Sequence, residues 1–218
     1  MLNRILIYNS GGGIGDAIQL ITLITTLKSQ FKNSKFYYLS AHENHFNSSL
    51  KDFNCEIDTL KLQIKYFGFR WWHGLIINKK IKENSIETFD LILDLQSKIR
   101  NSLILKLLPH KNFISPCLNF KLSKPKLNIK KEKKISSTII KSLNFIYNMD
   151  CKINEFDMNT INKKFFNESE KLLPKNNYVG FSITQGNVYR KKELPLNNIV
   201  SLCSIFKKAN KTPVFFIE

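Results

Sequence analysis

No run of about 18 apolar residues occurs anywhere in the chain, so a membrane-spanning helix is not expected. The N-terminus lacks the charged region, apolar stretch and small-residue cleavage site of a signal peptide. Its first apolar run reads as a core strand, and the expected location is the cytoplasm. Cysteine is scarce. Cys55, Cys117, Cys151 and Cys203 form no close pair, which argues against a zinc site or a redox pair and for reduced, mostly buried thiols. The histidines, His42, His45, His73 and His110, are scattered too. His42 and His45 could share a helix face but read as part of a solvated loop, and no metal site is expected. Acidic residues are few: 17 Asp and Glu stand against 34 Lys and Arg, a net charge of +17. Such an excess favours anionic partners. It also fits a bland cause, a composition rich in Lys, Asn and Ile together.

What is present begins with 43% hydrophobic residues, enough for a real core in one large or two small domains. Only eight glycines occur, and Gly11, Gly12, Gly13 and Gly15 fall together. They follow Ile5 to Tyr8, a short apolar run suited to a strand buried on both faces. Ala17, Leu20, Ile21, Ile24, Leu27 and Phe31 then keep the spacing of one helix face, predicting a helix of about four turns. Asp16 sits at or beside the start of that helix, where it is a cap, a base, or both. The glycine spacing is not a clean Gly-x-Gly-x-x-Gly, and no Lys-Ser/Thr pair follows, so a P-loop is not expected.

Lys35 to Ser40 reads as a second strand, parallel to the first through the intervening helix. Ile57 to Leu60 reads as a short third. Residues 63–77 interleave aromatics with Lys65 and Arg70. Core packing is one reading; a surface or substrate loop carrying Trp71 and Trp72, or a base-stacking track, are others. Phe89 to Gln96 is a strand ending in polar groups, followed by a helix over 98–108 with Leu103, Leu107 and Leu108 inward. Open α/β sheets bind ligands beyond the carboxyl ends of their strands. Asp94 and Gln96 are expected there, beside Gly11 to Asp16. Leu122 to Lys134 is a basic loop without a recognisable nucleic-acid module around it. A helix over 135–147, a linker over 150–162, a short helix from Lys163, a strand from Tyr178, a helix from Pro195 and a strand from Thr212 complete the reading.

Three segments, in this order, resemble glycosyltransferase family nine, the ADP-heptose:lipopolysaccharide heptosyltransferases. They are Gly15-Asp16 opening a helix after a strand, Asp94-Leu95-Gln96 with Arg100 soon after, and Lys192-Glu193-Leu194-Pro195 opening a later helix. Leu194 stands where the family has Trp, Thr184-Gln185 where many members have His-Pro, and Val188 where a hydroxyl side chain is common. The resemblance implies an α/β glycosyltransferase-B fold: a Rossmann-like acceptor-binding domain with a parallel sheet over 1–160, and the first part of a Rossmann-like nucleotide-sugar domain over 161–218. It implies an inverting glycosyltransferase with Asp16 as general base. Gly12, Gly13, Gly15, Asp94, Gln96 and Arg100 are the implied acceptor side, and Thr184, Gly186, Asn187 and Lys192 the donor side. No cofactor and no metal are implied. The donor would be ADP-heptose or another nucleotide-sugar, and the acceptor the lipopolysaccharide core, with peripheral contact at the inner face of the inner membrane. The family's C-terminal segment has no counterpart in these residues, so a truncated member is expected. A non-catalytic remnant and a basic nucleic-acid-binding protein are the competing readings, although no nucleic acid is expected as a partner.

Overall fold

The first strand, β1 (Arg4–Asn9), becomes the centre of a sheet because both of its faces are apolar: Ile5, Leu6, Ile7 and Tyr8 are fully buried. In the computed structural model, which describes residues 2–96, 98–175, 177–182 and 194–216, the chain divides into two compact units, Met1–Met158 and Asn159–Glu218.

In the first unit, β1 leads through α1 (Ile14–Ile18) and α2 (Ile21–Gln30) to β2 (Lys35–Ser40) and β3 (Asp58–Thr59). Then come α3 (His73–Glu83), β4 (Phe89–Asp94), α4 (Ile99–Leu105), β5 (His110–Ile114) and α5 (Ile135–Tyr147). The strands are all parallel, in the order β3-β2-β1-β4-β5. Successive side chains of a strand point to opposite faces. Ile5 and Ile7 therefore join Leu23, Ile24 and Leu27 of α2 and Ile139 and Leu143 of α5 on one side. Leu6 and Tyr8 join Ile77 of α3 and Ile104 and Leu105 of α4 on the other. Each such fully buried aliphatic side chain contributes about 1.5–3 kcal/mol.

Four expectations change. The single four-turn helix after the glycines is two helices, because Leu20 N–H bonds back to the Ala17 carbonyl at 2.9 Å and tightens the turn. That step brings both Ala17 and Leu20, each 2% exposed, onto the sheet. In α4 the inward residues are Asn101, Ser102, Ile104 and Leu105, whereas Leu103 and Leu107 face outward; Leu108 is buried as expected. β5 and α3 were not anticipated. β5 opens on His110, Lys111 and Asn112, polar groups tolerated at a sheet edge, and α3 opens on His73-Gly74 at the end of the aromatic run. The stretch after residue 150 is held to the first unit rather than free: Asn154 N–H bonds Thr26 Oγ1 at 2.9 Å, and Phe156 lies against Phe53.

The second unit contains α6 (Lys163–Leu172), β6 (Tyr178–Ser182), α7 (Leu196–Lys208) and β7 (Thr212–Phe216). Its two strands are parallel, and Phe181 stacks on Phe215 and meets Phe206 edge-on. No helix among the described residues is long and apolar enough to cross a membrane.

Candidate functional site

The strand order reverses at β1: the chain runs outward to β3 on one side and returns to β4 on the other. Such a switch point leaves a crevice at the carboxyl ends of the two central strands. Here that crevice is floored by a set of polar bonds. Asn9 Oδ1, at the end of β1, accepts from Gly11 N–H at 3.0 Å and from Gln96 Nε2 at 2.8 Å. Leu95 N–H bonds the Tyr8 carbonyl at 3.0 Å. Gln96 is thus half-buried and tied to Asn9, joining the two strand ends.

The glycine turn rises above this floor. Gly13 is the N-cap of α1 in extended conformation and receives the N–H groups of Asp16 and Ala17. Asp16 is therefore inside the first turn, not before it, and its carboxylate is exposed. That carboxylate folds back over Gly11, where a Cβ would stand 2.5 Å from Asp16 Oδ2. A Cβ on Gly12 would overlap the His42 ring. Gly15 meets nothing within 4 Å, so its side of the turn is open space. Beneath the turn lies Tyr38, its hydroxyl pushed up to about 12 chiefly by burial, with a hydrogen bond from Asn9 offsetting part of the rise and the Asp16 charge adding to it.

The two histidines read as part of a solvated loop also pack on this turn: His42 is exposed and His45 half-buried. His45 Nε2 donates to the Gly12 carbonyl at 3.1 Å. His42 lies against Gly12 and meets the Tyr66 ring edge-on at 5.0 Å. The signal available in the sequence was position: both follow directly on β2, whose carboxyl end opens beside that of β1. A cleft of about 620 Å³ begins at His42 and runs past Ser40, Glu43, Lys61, Lys65 and Tyr66. That volume suits a small ligand or a sugar unit or two.

Asp94 does not reach the crevice surface. It is fully buried, and its carboxylate is taken up by groups of the fold itself. Its carboxylate accepts from Ser102 Oγ at 2.5 Å, Ser115 Oγ at 2.7 Å and Gln96 N–H at 2.9 Å, joining β4, α4 and the end of β5. Burial pushes the carboxyl up to about 6, and those three bonds offset part of the rise. Arg100 is half-buried, and its Nε donates to the Gly68 carbonyl at 2.9 Å. It holds the aromatic loop.

That loop, 63–72, is fastened to the crevice at several points. Tyr8 Oη donates to the Phe67 carbonyl at 2.9 Å and accepts from Asn101 Nδ2 at 3.2 Å. Gly68 N–H donates to His73 Nδ1 at 3.1 Å. Gly68 has φ +84°, and a Cβ there would stand 2.6 Å from Tyr8 Oη, so a glycine is required twice over. Desolvation, then the Arg100 and Arg70 cations, hold His73 below the usual histidine range. The loop is divided between core and surface: Phe67 is fully buried, while Tyr66, Trp71 and Trp72 are at least half exposed.

Thr184, Gly186, Asn187 and Lys192, with Arg190 and Lys191, lie outside the described residues. Among the described residues, no group of three or more His, Cys, Asp or Glu side chains is arranged to hold a metal ion.

No protein-family profile matches this sequence, and no match is found among curated proteins. Solved structures do match. A glycosyl transferase family 9 protein from Veillonella parvula aligns with a TM-score of 0.59 and 17% identity, over 98% of this chain. The E. coli heptosyltransferase WaaC with ADP-2-deoxy-2-fluoro heptose gives 0.60 and 13% over 99%, and the same enzyme with ADP gives 0.61 and 12% over 97%. The fold is glycosyltransferase-B. At these identities the likeness establishes architecture. The chain spans 62%, 69% and 66% of the lengths of those three structures, so the glycosyltransferase-B fold is represented here by its first Rossmann-like unit and part of a second.

Proposed function

We propose that this protein is a family-nine-like glycosyltransferase that moves a heptose or related sugar from a nucleotide-sugar to an acidic saccharide of the lipopolysaccharide core. The observation that carries the reading is the placement of Asp16: an exposed carboxylate on a glycine turn, at the switch-point crevice of a glycosyltransferase-B fold. The neighbours with ADP and with an ADP-heptose analogue support ADP-heptose as the donor. The net charge of +17 and the lysines of the cleft, Lys61 and Lys65, suit an acceptor bearing carboxylate and phosphate.

In this reading, the acceptor hydroxyl enters over Gly12 to Gly15 and Asp16 removes its proton as the oxygen attacks the anomeric carbon. The bond to the donor's diphosphate breaks from the opposite side, which inverts the anomeric configuration. The departing diphosphate is neutralised by Lys192, helped by Arg190 and Lys191. His45 fixes the turn through the Gly12 carbonyl, and His42 and Tyr66 border the acceptor cleft.

The test is incubation of the chain with ADP-heptose and a lipid A–Kdo acceptor. ADP release that requires acceptor, with an inverted linkage in the product by NMR, is the expected result. No acceptor-dependent release, or a retained linkage, overturns the proposal.

A further inference from the structure

We propose that Tyr66 is a stacking platform for a pyranose ring and decides how the acceptor lies relative to Asp16. The inference rests on the proposed acceptor site and adds to it a residue that determines specificity. Tyr66 lines the cleft of about 620 Å³ that begins at His42. It is 50% exposed, whereas its neighbour Phe67 is fully buried. The same cleft has an apolar lining in Leu39, Leu60 and Leu62, all buried, and polar groups in Ser40 and Glu43.

The backbone shows that the ring is held where it is at a cost. Tyr66 has φ +53°, in the left-handed region, and so has Gln63 of the same cleft, at +55°. That conformation is costly for a bulky side chain and free for glycine. Bonds on either side impose it. The Phe69 N–H donates to the Tyr66 carbonyl at 3.0 Å, Tyr8 Oη to the Phe67 carbonyl, and Arg100 Nε to the Gly68 carbonyl. Residues kept in such sparsely populated conformations cluster at ligand clamps. Phe67 already fills the core at this point of the loop, so what the strain at Tyr66 secures is the position of a half-exposed ring.

Two ring contacts fix that position. His42 meets Tyr66 edge-on at 5.0 Å and Phe69 meets it edge-on at 6.3 Å, so neither neighbour lies flat against it. His42 in turn rests on the glycine turn, where a Cβ on Gly12 would stand 1.8 Å from His42 Cδ2. The turn that carries Asp16, His42 and Tyr66 therefore form one packed series, and a ring stacked on Tyr66 stands at a fixed offset from the carboxylate. The chemistry of the cleft names the ligand class. The face of an aromatic ring is electron-rich and attracts polarised C–H bonds. A pyranose presents a patch of such bonds on one face and hydroxyls around its rim. Its C–H face suits Tyr66 and the leucine lining, and its rim hydroxyls suit the Glu43 carboxylate as acceptor.

The experiment measures binding of a lipid-free Kdo disaccharide to the full chain by saturation-transfer NMR, with no donor present, and compares Tyr66→Asn and Tyr66→Phe. Asparagine tolerates the left-handed conformation and removes the ring. Tyr66→Asn should weaken binding about tenfold, because the stacked area is lost, and Tyr66→Phe should recover most of that loss. The urea midpoint of Tyr66→Asn should be equal to that of the parent or higher, since the backbone cost is relieved. In the parent, saturation should reach the C–H protons of one ring face first. Equal binding by Tyr66→Asn overturns the inference, as does a fall in its urea midpoint, which would make Tyr66 a packing residue. Tighter Tyr66-dependent binding of adenosine than of the saccharide also overturns it. Sugar transfer is scored separately. Tyr66-dependent binding without transfer upholds the platform and removes the transferase reading, whereas transfer by Tyr66→Asn with an unchanged acceptor KM removes the platform and leaves transfer standing.

Discussion

If the proposed function holds, replacing Asp16 with Asn should lower sugar transfer by about 10²–10⁴-fold, the usual contribution of a positioned general base. The substitution keeps the shape of the side chain over Gly11 and removes only its ability to take a proton. Asp16 is exposed and accepts no N–H as a helix cap, so the variant should fold as the parent does. Acceptor affinity should change little, because glycine backbone, His42 and the cleft residues remain in place. The loss should therefore appear in kcat, with KM for the acceptor nearly constant. Steady-state kinetics on the two proteins decide the matter. An equal fall in affinity with kcat preserved would make Asp16 a binding group and leave the proton acceptor elsewhere.

Asp94 is expected to behave in the opposite way, through stability. Asp94→Ala strips the acceptor from Ser102 Oγ, Ser115 Oγ and the Gln96 N–H in a site with no access to water. Leaving buried polar groups unpaired costs about 1–3 kcal/mol each, and redirection of the hydroxyls brings the expected loss to about 3–5 kcal/mol. That is a large part of the total stability of a typical domain. Asp94→Asn keeps the shape and can accept from Gln96 while its amide donates to the two hydroxyls.

The pH dependence separates charge from shape. The Asp94 carboxyl rises from an ordinary 3.8 to about 6 in the fold, so the native state holds its proton more tightly than the unfolded chain. Its stabilising contribution is therefore complete below about pH 4 and is lost as pH rises through about 6. The gap corresponds to roughly 3 kcal/mol. Urea unfolding should find Asp94→Asn as stable as the parent or more so at pH 7.5. The advantage of the variant should shrink as pH falls from about 6 to about 4. An Asn variant destabilised equally at every pH would show that the charge plays no part.

Much of this architecture could be read directly from residue patterns. Ile5 to Tyr8 and Phe89 to Asp94 are short apolar runs between turn signals, and both are central parallel strands. The helical spacing over 135–147 matches α5 to the residue. α4 shows where pattern fails. Its buried face includes Asn101 and Ser102, one bonded to Tyr8 and the other to Asp94, while the apolar Leu103 and Leu107 are outside. A hydropathy pattern ranks those residues the other way round, because it cannot register a polar partner supplied by another strand. The same limit hid the two histidines. His45 meets the Gly12 carbonyl across 33 residues of sequence, and Tyr8 meets the Phe67 carbonyl across 59. Gly11 to Asp16 was legible because its glycines, carboxylate and helix start are adjacent in the chain, and the fold needs only to place that turn beside Gln96.

On the proposed function, the acceptor saccharide binds in the crevice at the carboxyl ends of β1 and β4. Hydrogen–deuterium exchange of the full chain, with and without a lipid A–Kdo acceptor, tests it most directly. The expected result is slowed exchange in peptides covering Gly11 to Ala17 and in those covering Ala41 to Tyr66, with α5 unaffected. Acceptor binding that leaves Gly11 to Ala17 unprotected would contradict it.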